Sequence, residues 1–374
     1  MSNTVSTGSF TIPMMKSLGY EPEFAGAVEA AASTGGQIMP PVMGSAAFLI
    51  SETCNVPYRE LMLIAIIPAL LYFTGIWISV HLEAKRLGLK GLPREKLPKV
   101  WPLMRDKGHL ILPLIAIIYL MLSGFTITRA ALLGCAICII VPYLRKGTRV
   151  PFLQIFTALP QAARSVISVA TACSTAGIII GMVTLTGLGQ RIGAGIFDLV
   201  GNNVFLALVC AMFTSLLLGM GVSTTSNYLI TSTIAAPILI KAGIPLLAAH
   251  MFCFYFGIVA DITPPVALAA YAGSAIAKGN AFKTGVNATK LAIAAFLIPY
   301  MFALNPKMIM IGGTFIEALP MILTAIVGLV GIGGGFIGYL NGKLSMPLRR
   351  LSCAAGLCLV SPGNLTDSIG LVGV

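Results

Sequence analysis

Long apolar runs, separated by short polar or basic stretches, make up most of the chain. The clearest run, Leu61–Val80, has the roughly 20 residues that a helix needs to cross a bilayer. Other runs approach or exceed that length: Leu110–Thr126, Ala130–Leu144, Ser165–Gly187, Val204–Gly219, Val286–Leu304, Leu319–Leu340 and a last stretch over 351–374 that Pro362 and Gly363 interrupt. The pattern predicts an all-α polytopic membrane protein.

Composition points the same way. Of the 374 residues, 57% are apolar and only 10% are charged, and the mean hydropathy is +0.94. A soluble chain has about 25% charged residues, so there are too few polar groups here to coat a soluble particle. This excludes an ordinary cytosolic enzyme, a disordered chain and a disulfide-stapled secreted domain. The net charge of +12 is explained by basic cytoplasmic loops, so the expected partner is the lipid bilayer and not nucleic acid.

An internal repeat becomes visible when the sequence is shifted by 224 residues. Pro40-Pro41-Val42 then falls on Pro264-Pro265-Val266, and Ser2-Asn3 falls on Ser226-Asn227. Eleven of the first fifty positions are identical in this register, among them three prolines and a glycine. Random matching of apolar residues does not account for the polar, proline and glycine identities together. We interpret the pattern as a duplication.

Each copy contains a polar tip, a short apolar arm and an apolar helix that is interrupted in its middle. The interruptions read Gly-Gly-Gln-Ile-Met-Pro-Pro over 35–41 and Ala-Asp-Ile-Thr-Pro-Pro over 260–265. Two consecutive prolines cannot lie inside a continuous helix. Unpaired backbone at membrane depth is tolerated only where it lines a cavity or packs against protein. Paired interrupted helices in two repeats therefore indicate the binding site of a secondary transporter.

The distribution of basic residues predicts the orientation of the two copies. The basic loop 81–109 is placed in the cytoplasm by the positive-inside rule. If 204–219 and 228–240 form a re-entrant hairpin from the outside, nineteen of the 24 Lys and Arg residues lie inside. The two repeats then have inverted topology, with the first hairpin opening from the inside near Lys16.

This organisation divides the chain into six segments. They are half of the first hairpin with the first interrupted helix (1–50), a transmembrane helix (51–80), the basic cytoplasmic loop (81–109), scaffold helices with the arm of the second repeat (110–200), the second hairpin with the second interrupted helix (201–285) and C-terminal transmembrane helices (286–374). The second tip follows an apolar arm, whereas the chain begins at the first tip. We therefore expect the N-terminal portion of the protein to be missing from this polypeptide.

Three segments resemble the large membrane subunit of a tripartite ATP-independent periplasmic (TRAP) transporter: Gly19–Ser51, Gly219–Thr233 and Ala248–Ala275. The likeness is to the C-terminal portion of the TAXI type, in which small and large membrane subunits are fused. At one position, Ser223, the family usually has proline. The resemblance implies an elevator-type permease of the bacterial inner membrane. It also implies Na⁺-driven uptake of organic acids (carboxylates) without ATP, and a periplasmic TAXI-type substrate-binding protein that delivers the substrate.

Two quasi-equivalent cation sites follow from the repeat, because Na⁺ prefers the hard oxygens of carbonyls, hydroxyls and amides. The candidate ligands of the first site are Ser2, Asn3, Gly35, Gln37 and Pro40. Those of the second are Gly221, Thr224, Thr225, Asn227, Asp261 and Thr263. Asp261 is an acidic residue at predicted mid-membrane depth, where such residues are costly and usually functional. In the alternative, Ser2, Asn3, Ser226 and Asn227 only cap the half-helices that follow, and Asp261 only hydrogen-bonds the unwound backbone.

The positive N-terminal ends of the half-helices attract a substrate carboxylate. Candidate substrate contacts are Ser2, Thr4, Ser6, Ser223 and Thr224. The sequence contains no evident nucleophile–histidine–aspartate set and no phosphate-binding loop, so we expect neither an enzyme nor a cofactor other than the coupling Na⁺. For Glu29, a buried structural role, an interfacial position and a part in transport remain open.

Other functions are compatible with the same residues. One alternative is a stand-alone Na⁺/dicarboxylate symporter with similar hairpins, which needs no binding protein. A second is an integral membrane enzyme, for which only Asp261 and His250 lie close together in sequence. A third is a non-transporting remnant.

Overall fold

A computed structural model of the chain describes residues 2–91, 99–187, 191, 195 and 203–360. The α-helices of the first half are α1 (Ser2–Ser17), α2 (Pro22–Gly35), α3 (Ser45–Thr53), α4 (Tyr58–Leu87), α5 (Val100–Lys107), α6 (Leu112–Leu122), α7 (Ile127–Ile140) and α8 (Phe152–Thr186). Those of the second half are α9 (Val204–Gly219), α10 (Thr224–Ile234), α11 (Ala236–Lys241), α12 (Leu246–Val259), α13 (Leu268–Ala277), α14 (Ala281–Leu291), α15 (Ile293–Leu304), α16 (Phe315–Ile337) and α17 (Met346–Val360).

Within the described residues, three helical stretches are long and apolar enough to cross a membrane: α4, the 281–304 stretch formed by α14 and α15, and α16. Shorter apolar helices such as α9 and α12 accompany them. The prediction of an all-α polytopic membrane protein is confirmed. Both predicted interruptions are also present, since α2 ends at Gly35 and α12 ends at Val259, in each case before the Pro-Pro pair.

The first part of the interrupted helix has the same bounds in both copies. A shift of 224 residues carries α2 (22–35) onto α12 (246–259) with both ends coinciding. The left-handed backbone positions repeat in the same register. Gly19 and Gly243 have φ values of 105° and 91°, and Met43 and Ala267 have values of 40° and 36°. The interrupted helices therefore share this local backbone geometry, whereas the arms differ, because α1 is continuous over Ser2–Ser17 and its counterpart is divided into α10 and α11.

The interrupted helices of the two copies run antiparallel where they touch. At the start of α2, Glu23 Oε1 accepts a hydrogen bond from the backbone N–H of Asn280, just beyond the end of α13 (3.4 Å). One turn further along α2, Gly26 faces Gly273, which lies earlier in α13. A Cβ atom on Gly273 would lie 2.6 Å from the carbonyl oxygen of Gly26, so only glycine permits this approach. The copies therefore interlock and do not stand side by side as separate units.

The C-terminal helices α16 and α17 form a second close seam. Gly328 and Gly356 face each other, and a Cβ on either residue would come within 3 Å of the other's carbonyl oxygen. Ser352 donates a hydrogen bond to the Gly331 carbonyl at 2.7 Å. The Arg349 guanidinium donates to the carbonyls of Gly335 and Phe336 at the end of α16, both at 2.8 Å. Small residues permit this close packing, and the hydrogen bonds from the hydroxyl and guanidinium groups stabilise it.

Several element boundaries differ from the sequence-based segments. α4 continues beyond residue 81 and ends at Leu87. Gly88, with a φ of +66°, is its left-handed C-cap. The segment 81–109 is therefore not all loop, and it also contains α5. The segment boundary at 285 falls inside α14, because the Asn280 side chain accepts from the Lys283 N–H at 2.9 Å and starts a helix there. Residues 92–98 and 361–374, including Pro362 and Gly363, lie outside the described residues.

Residues from three predicted cytoplasmic segments meet in one cavity of about 260 Å³. Its charged lining comes from Glu21, Glu83, Arg86, Lys283, Lys290 and Arg349. Glu83, which is buried, binds Arg86 through two hydrogen bonds at 2.6 and 2.8 Å. The basic segments thus share one end of the fold. That this end faces the cytoplasm stays a prediction from charge.

The Gly26–Gly273 contact gives a first testable prediction. Gly273→Ala should destabilise the protein by about 1–3 kcal/mol, because the added methyl group meets backbone and cannot be relieved by a rotamer change. Gly177→Ala on α8 is the matched control, since a Cβ there has no neighbour within 4 Å. The measurement is the thermal unfolding midpoint of each purified variant in the same detergent. Equal midpoints for Gly273→Ala and Gly177→Ala would contradict the close crossing.

Candidate functional site

The second hairpin turns through polar residues between α9 and α10. Gly221 takes a φ of +76°, which a residue with a side chain adopts only with strain. Ser223 is the N-cap of α10, and its hydroxyl accepts a hydrogen bond from the Ser226 N–H at 3.3 Å. The idea that Ser226 and Asn227 cap this half-helix is therefore wrong, because both lie inside α10. Their side chains are not needed for capping.

Asn227 lies where this tip meets the second interrupted helix. Its side chain is fully buried. The amide nitrogen occupies the space in front of two glycines, Gly219 on α9 and Gly257 on α12, and a Cβ on Gly257 would lie 2.7 Å from it. Gly219 also faces Ala260, the first residue of the 3₁₀ turn Ala260–Ile262. The fold thus brings Asn227 close to the interruption that carries Asp261, and the shared cation site stays a prediction.

The Asn227 amide has no hydrogen-bond partner among the described residues, for either its nitrogen or its oxygen. The equivalent Asn3 does have one: its Nδ2 donates to Ser33 Oγ at 3.2 Å. A shift of 224 residues carries Ser33 onto Gly257, so the second copy lacks the hydroxyl that satisfies the amide in the first. A buried unpaired polar group costs about 1–3 kcal/mol. Such an orphan amide is the kind of group that a ligand satisfies.

The second interruption is held open by hydroxyl groups. Thr263 Oγ1 donates to the Val259 carbonyl at 2.7 Å, and Thr289 Oγ1 donates to the Ile262 carbonyl at 3.2 Å. The Tyr271 hydroxyl donates to the Pro265 carbonyl at 2.5 Å. Because the hydrogen of Thr263 Oγ1 points to Val259, the oxygen keeps its lone pairs for another donor or a cation. Asp261, in the same turn, is half-buried.

The first interruption has a comparable frame with different contacts. Gly35 lies against the ring of Tyr72, whose hydroxyl donates to the Ala31 carbonyl at 2.7 Å. The carbonyl of Gln37 accepts from the Gly44 N–H at 2.7 Å, which closes the loop. The Tyr58 hydroxyl donates to the Pro41 carbonyl at 3.0 Å. Since the Gln37 carbonyl already has a donor, its side-chain amide is the freer oxygen source.

The two interruptions lie next to each other. α2 contacts the 260–262 turn, and the second tip reaches the first copy through a 2.6 Å hydrogen bond between Thr225 Oγ1 and Ser45 Oγ. Of the predicted cation ligands, the structure places Asn227 beside Gly219, which in turn faces Ala260 in the turn that carries Asp261. It directs Asn3 to Ser33 instead. The side chain of Ser2 lies outside the described residues.

Comparison with known proteins identifies the architecture. Residues 1–317 match the family "Tripartite ATP-independent periplasmic transporter, DctM component". The chain belongs to this family. It is 24% identical to the 2,3-diketo-L-gulonate TRAP transporter large permease protein YiaN of Escherichia coli (strain K12) over 308 residues, which are 81% of this chain and 71% of that protein. It is therefore a multi-pass protein of the inner membrane, in a family of transporter permeases.

A second relative is a longer protein. The chain is 23% identical to the isethionate TRAP transporter permease protein DctMQ of Oleidesulfovibrio alaskensis (strain ATCC BAA-1058 / DSM 17464 / G20) over 327 residues. This match takes in 86% of the chain but only 48% of that protein. The chain thus spans about half the length of this relative, so the activity of the whole relative is not carried over directly.

The candidate substrate contacts of this TRAP permease chain differ in burial and in hydrogen bonding. Thr4 is fully buried, and its hydroxyl has no partner among the described residues. Ser6 is exposed, whereas Ser223 is engaged in its cap. Thr224 begins α10 and is half-buried. None of these positions is tested as a substrate contact, so all of them, with Ser2, stay predictions.

Some residues of the site were not found from the sequence. Ser33 and Gly257 decide whether the neighbouring asparagine amide has a hydrogen-bond partner. Their difference could have been found from the sequence, because the two residues are equivalent positions of the repeat. Ser45 and Tyr271 contact the other half or the loop itself, and no spacing rule indicates them. Tyr228 holds α10 on α12 through a hydrogen bond between its hydroxyl and Nδ1 of His250 (2.8 Å). This contact gives His250 a packing role.

The cap at Ser223 yields a second prediction. Ser223→Ala should cost the start of α10 about 1 kcal/mol, because the Ser226 N–H loses its acceptor. Amide hydrogen exchange at 225–227 should then be about fivefold faster. Ser232→Ala is the matched control, because that hydroxyl only donates to the Leu229 carbonyl of its own helix. An unchanged exchange rate at 225–227 in Ser223→Ala would show that the cap does not stabilise the tip.

Proposed function

We propose that this chain is the Na⁺-coupled part of a TRAP permease that takes up organic acids across the inner membrane and receives them from a periplasmic substrate-binding protein. The observation that carries the proposal is the buried, unpartnered amide of Asn227 beside the second interrupted helix. A transporter driven by an ion gradient needs a site for that ion near the middle of the membrane. The orphan amide is the best candidate for its centre.

The second cation site would use oxygens from both sides of the hairpin contact. Asn227 would supply its amide oxygen, Asp261 its carboxylate and Thr263 its hydroxyl, with Gly221, Thr224 and Thr225 from the tip as further ligands. The negative charge of Asp261 offsets the cost of dehydrating a cation. The first site would use Ser2, Asn3, Gly35, Gln37 and Pro40, and it would carry no formal charge. The two sites would therefore differ in affinity.

The substrate class is inferred from the relatives and from the helix ends. One relative is named for 2,3-diketo-L-gulonate and the other for isethionate. The first is a carboxylate and the second a sulfonate, so organic acid is the class that both share. The half-helices α1 and α10 would turn their positive N-terminal ends toward the acid group, with Ser2, Thr4, Ser6, Ser223 and Thr224 as contacts. A TAXI-type binding protein is the proposed donor of the substrate, on the strength of the sequence resemblance.

The cation site gives a third prediction. At about ten times its Kd, Na⁺ should stabilise the wild-type protein by about 1.4 kcal/mol, and K⁺ at the same concentration should not. Asn227→Ala should abolish this Na⁺-dependent rise in the thermal unfolding midpoint. Gly257→Ser should reduce it, because the new Cβ would lie 2.7 Å from the Asn227 amide nitrogen and so displace that side chain.

Asn287→Ala is the control for this experiment, since the Asn287 side chain lines the charged cavity, whereas the Asn227 side chain lies against Gly219 and Gly257. It should keep the full response to Na⁺. A full Na⁺ response in Asn227→Ala would remove Asn227 from the site.

Transport itself is the fourth prediction. Proteoliposomes with the permease and its membrane partners should accumulate a labelled organic acid when Na⁺ is high outside, binding protein is present and ATP is absent. Replacing the Na⁺ gradient by K⁺ should stop accumulation. Uptake that needs no binding protein would instead support a stand-alone symporter, and uptake that requires ATP would refute secondary transport.

A further inference from the structure

The first repeat contains a buried carboxylate that the proposed Na⁺ sites do not use. Glu29, in the middle of α2, is only 7% exposed. Its oxygens are surrounded by three hydroxyl groups. Thr7 Oγ1 and Ser33 Oγ (3.0 Å) donate to Oε1, and Thr11 Oγ1 donates to Oε2 at 2.5 Å. Two of these donors come from α1 and one from α2, so the carboxyl joins the hairpin arm to the interrupted helix.

No basic side chain neutralises this carboxylate within the described residues. The elements packed against α2 are α1, α4, α13, α14 and the 260–262 turn. The titratable groups of these elements and of α2 have contacts of their own, and none of them is hydrogen-bonded or ion-paired to Glu29 among the described residues. These include Lys16 (bonded to the Ala277 carbonyl), Tyr72 (to the Ala31 carbonyl), Tyr271 (to the Pro265 carbonyl), Arg86 (with Glu83), Lys283 (with Glu21 and Glu23), Lys290 (in the charged cavity) and Asp261 in its turn.

The threonine hydroxyls can serve either charge state of Glu29. Each has one hydrogen but two acceptors within reach. Thr7 Oγ1 lies near Glu29 Oε1 and 2.8 Å from the Asn3 carbonyl, and Thr11 Oγ1 lies near Glu29 Oε2 and 3.1 Å from the Thr7 carbonyl. When the carboxyl is ionised, both hydrogens point to it. When it is protonated, its own O–H donates to Thr11 Oγ1, and the Thr11 hydrogen turns to the Thr7 carbonyl.

The spacing favours a proton over a metal cation. The Thr11 and Glu29 oxygens are at hydrogen-bond distance, and the Thr7–Glu29 contact is equally direct. A metal ion between them would have to push the oxygens apart, whereas a proton fits without movement of any heavy atom. The methylene part of Glu29 packs beside Gly8, and Ile12 and Ile276 close the same space. The carboxyl end is thus left with hydroxyl partners.

The second repeat shows what happens when the carboxylate is absent. The position equivalent to Glu29 is Cys253, and those equivalent to Thr11 and Ser33 are Ala235 and Gly257. Two of the three hydroxyl donors are therefore missing in the copy without the carboxylate. Thr231, the equivalent of Thr7, remains and donates to the Asn227 carbonyl at 2.9 Å. The hydroxyl cluster belongs to the carboxylate, not to the duplicated backbone.

We propose that Glu29 is a proton-binding site of the first repeat. Its carboxylate takes one proton from water to become a carboxylic acid and releases it again, while only the hydroxyl hydrogens of its threonine neighbours change direction. Glu29 is not among the proposed Na⁺ ligands, although its partners Thr7 and Ser33 also hydrogen-bond Asn3, and its protonation makes the hairpin arm of the permease sensitive to pH. It does not depend on the substrate or on Na⁺ coupling.

Infrared difference spectroscopy of the purified protein in lipid bilayers tests this directly, with pH as the only variable. Lowering the pH should produce the C=O stretch of a protonated carboxyl group and remove an equal carboxylate signal. The chain has 12 Asp and Glu residues, so the Glu29 band is identified as the pair of bands that Glu29→Gln removes from the wild-type difference spectrum. Glu29→Asp should restore that pair at a shifted frequency. Thr11→Val should shift the frequency of the wild-type band, because it removes the partner of Oε2. The matched control is Glu52→Gln on α3, an exposed carboxyl whose loss should leave the Glu29 band in place.

Each outcome decides the proposal. If the bands at acidic and alkaline pH are identical in wild type and Glu29→Gln, Glu29 keeps one charge state and serves only as a structural hub. If Na⁺ at constant pH removes the Glu29 band, the site binds a metal cation and the proton proposal fails. If the band is present, is lost in Glu29→Gln and is indifferent to Na⁺, the proposal stands, whatever the transported acid proves to be.

Discussion

Interrupting a helix in the middle of a membrane leaves backbone groups that lipid cannot satisfy. In this chain the Pro-Pro pairs at 40–41 and 264–265 impose that constraint twice, and protein atoms meet it each time. The Pro41 and Pro265 carbonyls each accept a tyrosine hydroxyl, and α2 lies against the 260–262 turn of the other copy. α2 of the first copy packs on the second interruption, and the second tip bonds Ser45 just beyond the first interruption, so the two copies pack against each other where their helices are interrupted.

The two copies share the interrupted helix but differ in the polar side chains around it. The asparagines at the two tips occupy equivalent positions, yet Asn3 is paired with Ser33, whereas Asn227, beside Gly257, has no hydrogen-bond partner in the part of the chain that the structure describes. Glu29 is likewise replaced by a cysteine in the second copy. The first copy is therefore rich in internal hydrogen bonds around a carboxylate, and the second contains an unsatisfied amide next to an acidic turn. Two related frames thus present different polar groups, which two identical copies could not do.

The sequence predicted the features that depend on local backbone limits. Proline pairs must end a helix, so the two interruptions could be located without coordinates. Contacts that depend on how helices rotate against each other could not. The cluster around Glu29 requires one face of α1 to meet one face of α2, and small-residue helices with little amphipathic pattern leave that rotation undetermined. The end of α4 at Leu87 was missed because a charged but well-capped helix looks like a loop in a hydropathy profile.

Hydrogen bonds join the hairpin arms to the interrupted helices, whereas apolar contacts join α4 to α15 and α16. Directional hydrogen bonds join each arm to its own interrupted helix: Glu29 links α1 to α2, and the Tyr228–His250 pair links α10 to α12. Where α4 meets α15 and α16, the close contacts are mainly apolar, with Gly75 against Ala294 and Gly333 against Ile78. Shifting an apolar seam breaks few directional bonds, whereas separating an arm from its helix would expose buried polar groups. Each hairpin arm is thus joined to its interrupted helix by directional bonds that would be costly to break, whereas α4 is joined to α15 and α16 mainly by apolar contacts.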